Sequence, residues 1–194
     1  MPGILVSGVV VVRFATPMQV ISNQPVFGSD AISLKRYTHS QGVQRWEIKT
    51  ALEPSNSGYE FFVHSVINVY SEIFDIRMPQ VYRGEGVYSN SGWTASGTAG
   101  GFTVTASGPG TLKKGEFVRF AGAGGHNKVY MVTADCSGGT LNIFPRLKSN
   151  VSGTMETGDG VNFKARYDPS TILGMTYQNG ILGDPGTVTF LESI

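Results

Sequence analysis

Leu112 to Leu147 reads LKKGEFVRFAGAGGHNKVYMVTADCSGGTLNIFPRL. A lysine-rich turn runs into Glu116-Phe117-Val118-Arg119-Phe120, and a glycine-rich turn leads to Lys128-Val129-Tyr130-Met131-Val132-Thr133. Ser137-Gly138-Gly139 turns the chain again into Leu141-Asn142-Ile143-Phe144, and Pro145 ends the run. β-branched and aromatic residues separated by glycine turns predict a three-strand antiparallel meander. A meander needs more sheet around it to be stable, so the rest of the chain is expected to supply strands.

Upstream, Phe102 to Ala106 (FTVTA) reads as another strand within a segment, 84–110, that is rich in Gly, Ser and Thr and almost free of charge. Further back, Trp46, Ile48 and Thr50 alternate with Arg45, Glu47 and Lys49, the period-two mark of a half-buried strand. The N-terminal run containing Val9 to Val12 and Phe14 reads as a buried strand. It has no basic n-region and is far shorter than the ~20 residues that span a bilayer, so neither a leader nor a membrane anchor is expected. Between these strands, residues 59–75 predict the one amphipathic helix. Tyr59, Phe62, Val63, Val66, Tyr70 and Phe74 recur at three- and four-residue steps, Ser57 and Glu60 suit a capping box, and Pro79 closes the pattern. Downstream, Met155, Val161, Phe163, Ala165 and the tail Thr187-Val188-Thr189-Phe190-Leu191 add strands.

The expected fold is mainly β: a β-barrel or β-sandwich with one packed amphipathic helix and a small β-rich insertion or second β module. The expected organisation is 1–83 as an N-terminal β portion with the helix, 84–110 as the insertion, and 111–194 completing the barrel or sandwich. The chain has 194 residues, a length that suits one domain or a main domain with an insert. Its 15 basic and 14 acidic residues leave a net charge of +1, which argues against a duplex-DNA binder that must neutralise many phosphates.

Catalytic and metal chemistry find little purchase. Cys136 is the single cysteine, so no internal disulfide forms, and a free structural thiol is expected. His39, His64 and His126 are dispersed and form no metal-binding spacing. The glycines at 122, 124 and 125 are followed by His126-Asn127 rather than Lys-Ser/Thr, and a strand rather than a helix comes next, so they are not a phosphate loop. The residues expected in the core or in assembly contacts are Trp46, Phe62, Val66, Tyr70, Phe117 and Tyr130. Lys113, Lys114, Arg119 and Lys128 gather around one hairpin pair and are candidate channel or interface charges. Tyr82, Tyr88 and Trp93, in turn-rich sequence, are the candidates for an aromatic binding patch.

Lys114-Gly115-Glu116-Phe117, Lys128-Val129-Tyr130-Met131-Val132-Thr133 and Leu141-Asn142-Ile143-Phe144-Pro145-Arg146-Leu147 together resemble a module of bacteriophage tail proteins. The resemblance covers about a fifth of the chain. The short turn Ser137-Gly138-Gly139 and the segment around Trp93 depart from it. It implies a distal-tail, tail-tube-initiator or baseplate-hub component, synthesised in the host bacterial cytoplasm and carried in the virion tail. The implied partners are identical copies in a six-fold ring around the tail channel, together with other tail-tube or baseplate proteins. No catalytic residue and no cofactor come with the resemblance, and the DNA channel would be lined passively. Two other readings stand beside this one. A carbohydrate- or receptor-binding module would need coplanar aromatics on an open sheet face, and a small glycan hydrolase would need two carboxylates at a set separation.

Overall fold

The computed structural model describes residues 3–6, 9–15, 17–30, 36–40, 43–53, 73–77, 92–124, 126–168, 170, 176–178, 182–184 and 186–194. The strands before the middle of the chain are β1 (Gly3–Val6), β2 (Val9–Arg13), β3 (Gln19–Asn23), β4 (Val26–Asp30), β5 (Arg36–Ser40), β6 (Arg45–Ala51) and β7 (Phe74–Arg77). Then come β8 (Thr94–Gly97), β9 (Thr103–Ser107), β10 (Phe117–Arg119), a one-turn helix α1 (Ala121–Gly124), β11 (Val129–Val132), β12 (Gly139–Phe144), β13 (Val151–Thr154) and β14 (Glu156–Thr157). The chain ends with β15 (Asn162–Tyr167), β16 (Thr176–Gln178), β17 (Leu182–Asp184) and β18 (Thr187–Glu192).

The protein is mainly β and is built on two seven-stranded antiparallel sheets. The first has the order β2-β1-β7-β15-β18-β6-β3. Its two ends meet. Beyond β2, Phe14 bridges Leu52, the Ala15 amide donates to the Ala51 carbonyl at 2.8 Å, and the Glu53 amide donates to the Arg13 carbonyl at 2.9 Å. The same stretch of chain then resumes as β3, paired along Arg45–Lys49 of β6. β2 and β3 thus act as one bent strand that pairs with β1 in its first half and β6 in its second, and the sheet curls into a barrel. Closure removes the exposed edges that an open sheet would leave. Ile4, Val12, Ile48, Ile76, Phe163 and Phe190 fill the interior. Each such side chain stabilises the fold by about 1.5–3 kcal/mol on burial.

The second sheet has the order β13-β8-β9-β12-β11-β10-β14. β13 and β14 are separated only by Met155, whose amide donates to the Trp93 carbonyl at 2.9 Å. The strand 151–157 therefore pairs with β8 in its first half and with β10 in its second, and this sheet also closes. Trp93, Phe120, Tyr130, Leu141 and Ile143 pack inside it. Gly108 makes room for the indole: a Cβ there would lie 2.3 Å from Trp93 Cδ2. The meander predicted over 112–147 is present as β10, β11 and β12, with Gly138 at φ 114 in the turn before β12 and Gly139 at φ 92 as its first residue. The connection from β10 to β11 contains the helical turn α1, whose Ala123 is buried.

Arg77 of β7 pairs with Asn162 of β15, so the described strands between them, β8 to β14, are inserted into one hairpin of the first barrel. The second barrel is that insertion. The described strands therefore divide between Arg77 and Trp93 and again between Thr157 and Asn162, and no division falls at 110, because β9, from the 84–110 segment, pairs with β12 in the same sheet. The predicted helix lies outside the described residues except at its end. There Phe74 and Asp75 belong to β7, with Phe74 and Ile76 turned inward and Asp75 and Arg77 only partly buried. The four-residue step from Tyr70 to Phe74 resembles helical spacing, but the alternation from 74 to 77 is that of a strand.

Two further hairpins leave the first barrel. β4 pairs with β5, and β16 pairs with β17; among the described strands, each of these two-stranded sheets stands by itself.

Candidate functional site

The most organised polar constellation lies where the barrels meet. One wall is the outer face of the second barrel. Phe117, Met131 and Phe144 are cross-strand neighbours on β10, β11 and β12 and form a single apolar row. Trp46 of β6 faces that row, edge-on to Phe117 with ring centroids 5.5 Å apart and to Phe144 at 6.1 Å. Its indole N–H donates to the Val129 carbonyl at 2.8 Å. The apolar part of the ring is thus covered and its one polar atom is satisfied, as a buried tryptophan requires.

Beside Trp46 sits a buried ion pair. Lys128, just before β11, has a side chain 4% exposed, and Glu192, at the end of β18, has one 0% exposed. The Lys128 ammonium donates to Glu192 Oε2, to the Gln44 carbonyl at 2.8 Å and to Gln44 Oε1 at 2.7 Å. The carboxylate also accepts the Val129 amide at 2.9 Å on Oε1 and the Trp46 amide at 3.1 Å on Oε2. Burial pushes Lys128 below its ordinary pKa, and the Glu192 carboxylate pulls it part of the way back.

This arrangement is not that of a reactive lysine. All three ammonium donors are engaged by acceptors on the first barrel. Both carboxylate oxygens accept backbone amides, one from each barrel. The constellation is a clasp: Gln44, Trp46 and Glu192 hold Lys128 and Val129 in one orientation. A fully satisfied buried network of this kind fixes geometry more than it adds net stability.

The four basic residues singled out in the sequence divide into two pairs. Lys113 and Lys114 are exposed in the turn before β10. Lys113 Nζ lies 2.8 Å from Asp135 Oδ2, and the Lys114 amide donates to Asp135 Oδ1 at 2.9 Å. Arg119 and Lys128 are buried and do not line an open surface. Arg119 makes a two-pronged contact with Glu156, Nε to Oε2 at 2.6 Å and Nη2 to Oε1 at 3.0 Å. β10 is covered on both faces, because Val118 points into its own barrel while Phe117 packs against the other. A cation on that strand is therefore buried with its partner.

The aromatic candidates also separate. Trp46, Phe117 and Tyr130 are core residues, and Trp93 is fully buried inside the second barrel, so it presents no face to a ligand. The Tyr130 hydroxyl accepts the Lys148 amide at 2.9 Å, and burial pushes its pKa up to about 12. Phe62, Val66, Tyr70, Tyr82 and Tyr88 lie outside the described residues. Among the described residues, no group of three or more His, Cys, Asp or Glu side chains is placed to hold a metal ion. No described helix is long and apolar enough to cross a membrane.

Sequence reasoning missed Gln44 and Glu192. Glu192 carried a signal: in Val188-Thr189-Phe190-Leu191-Glu192, the inward register is Val188, Phe190 and Glu192. A carboxylate in the inward register of a strand calls for a buried partner.

No family model matches this sequence, and no curated protein matches it.

Proposed function

We propose that the protein is a structural subunit of a phage tail tip or baseplate, repeated as a six-fold ring around the tail channel and joining the tail tube to distal proteins. One observation carries the reading: two-stranded hairpins leave the first barrel at its opposite ends. β4–β5 departs where Asn23 pairs with Arg45, at the start of β6, and β16–β17 returns where Thr187 pairs with Ala51, at its end. A two-stranded sheet is marginal alone and gains stability from added strands or a covering surface. Arms at opposite ends suit unlike contacts with two neighbours, the heterologous pattern that closes into a ring. The clasp at Lys128 and Glu192 supports the same reading, because a repeated subunit must keep its two parts in one orientation. The module resemblance over residues 114–147 supplies the tail context.

The test is cryo-electron microscopy of the assembled particle with this chain located in the density. Copies around an axial channel, each touching the next through a hairpin, are expected. A lone copy on the particle exterior, with both hairpins free, overturns the reading.

A further inference from the structure

The second barrel buries one side, around β10 and β11, against the first barrel. Its opposite side, formed by β8, β9, β13 and the start of β12, has an unusual composition. Ser152, Ser96, Thr105 and Thr140 are successive cross-strand neighbours and form one row of hydroxyls over four strands. Thr154, Thr94 and Ser107 form a second row, and Thr103 pairs with Asn142 in a third. Adjacent strands set such groups about 4.7–4.9 Å apart. The inward positions of the same strands are apolar, with Ala95, Val104, Ala106 and Leu141 buried.

An ordinary solvated strand face in this molecule looks different. The outward side of β6 carries Arg45, Glu47 and Lys49, and β15 carries Lys164 and Arg166. Among the described residues, the outward positions of β8, β9, β13 and the start of β12 carry no charged side chain. A cleft of about 590 Å³ on this face is lined by Ser96, Thr98, Thr103, Thr105, Thr140 and Asn150. That volume falls within the range of small-ligand sites. The Ala99 amide donates to Asn150 Oδ1 at 2.9 Å and holds that side chain in place. Phe102, between the lining residues Gly101 and Thr103, is 48% exposed, and the Arg146 guanidinium stacks 4.4 Å from its ring centroid.

We propose that this face binds a neutral oligosaccharide. Each hydroxyl both donates and accepts, as each sugar hydroxyl does, so the two sets pair without a net charge on either side. Threonine is β-branched and stiff at χ1, so the cleft loses little side-chain freedom on binding. No cation lines the cleft, and the nearby Arg146 guanidinium is taken up by the Phe102 ring and the Gly100 carbonyl, which disfavours sugars bearing carboxylate, phosphate or sulfate. The site is separate from the aromatic candidates of the sequence, and the inference stands independently of the ring assembly.

The test uses the full chain on an array of neutral and acidic glycans, followed by amide NMR titration with the neutral oligosaccharides that bind. The expected result is saturable binding of at least one neutral glycan, with shifts centred on Ser96, Thr103, Thr105 and Thr140. Thr105→Val and Thr140→Val keep the branched shape and the strand but remove a hydroxyl, and each should weaken binding about tenfold. Dispersed spectra of both variants confirm that the barrel remains folded. No neutral glycan bound, equal binding of acidic glycans, shifts located elsewhere, or unchanged affinity in both valine variants would each overturn the proposal.

Discussion

Glu192→Gln tests whether the clasp between the barrels is a charge-dependent device. The substitution keeps size and shape but removes the negative charge from a side chain that is 0% exposed. Two consequences follow. The Lys128 ammonium keeps Gln44 as its acceptor but loses its counter-charge, and one of the amides of Trp46 and Val129 now faces an NH₂ group instead of an oxygen. Removing one member of a buried pair costs about 3–5 kcal/mol, within which an orphaned backbone donor accounts for about 1–3 kcal/mol.

The pH dependence of that loss has a definite sign. Burial already lowers the Lys128 pKa, and the opposing influence is Glu192 itself. In the variant that influence is gone, so the folded value falls further below the unfolded value of about 10.4. Between the two values the unfolded chain binds more protons, and stability rises with pH. The deficit of Glu192→Gln should therefore be full at neutral pH and shrink as the pH approaches the unfolded lysine value. Urea unfolding followed by tryptophan fluorescence measures it, with Trp93→Phe leaving Trp46 at the junction as the single indole. A loss below about 0.5 kcal/mol at neutral pH, or a loss that does not shrink on raising the pH, refutes the reasoning.

Trp46→Phe should cost about 1–3 kcal/mol, because the Val129 carbonyl loses its 2.8 Å donor in a buried setting; equilibrium unfolding that matches the parent protein would contradict this. Gly108→Ala places a Cβ 2.3 Å from Trp93, so the second barrel should lose at least about 1–3 kcal/mol to overpacking, read as a lower urea midpoint. The His126 pKa is lowered by burial and then by Lys148, so the unfolded chain takes up its proton first as pH falls through about 6.5. Stability should decline on that acid side, and His126→Gln should flatten the decline in melting temperature.

The sequence by itself determined the strand-rich class and the meander, because alternation and turn chemistry are local. The segment TVTAS specifies which side chains point inward whatever lies beyond it, and Ser137-Gly138-Gly139 supplies backbone conformations that favour a reversal. What only the tertiary structure decided is which sheets those strands join and what covers their outer faces. Closure depends on pairings remote in sequence, such as Phe14 with Leu52, and on one strand serving two partners on either side of Met155. No local pattern encodes that. Burial of Arg119 and Lys128 is likewise a property of the junction: the sequence offers them as candidate channel or interface charges, and the first barrel packed against that side of the second encloses them. Trp93 illustrates the reverse, an aromatic in turn-rich sequence that looks exposed but is enclosed because Gly108 leaves space for its ring. Side-chain alternation is fixed by the backbone within a strand, whereas the partner of an outward face is fixed by packing between elements, and only the folded chain brings those elements together.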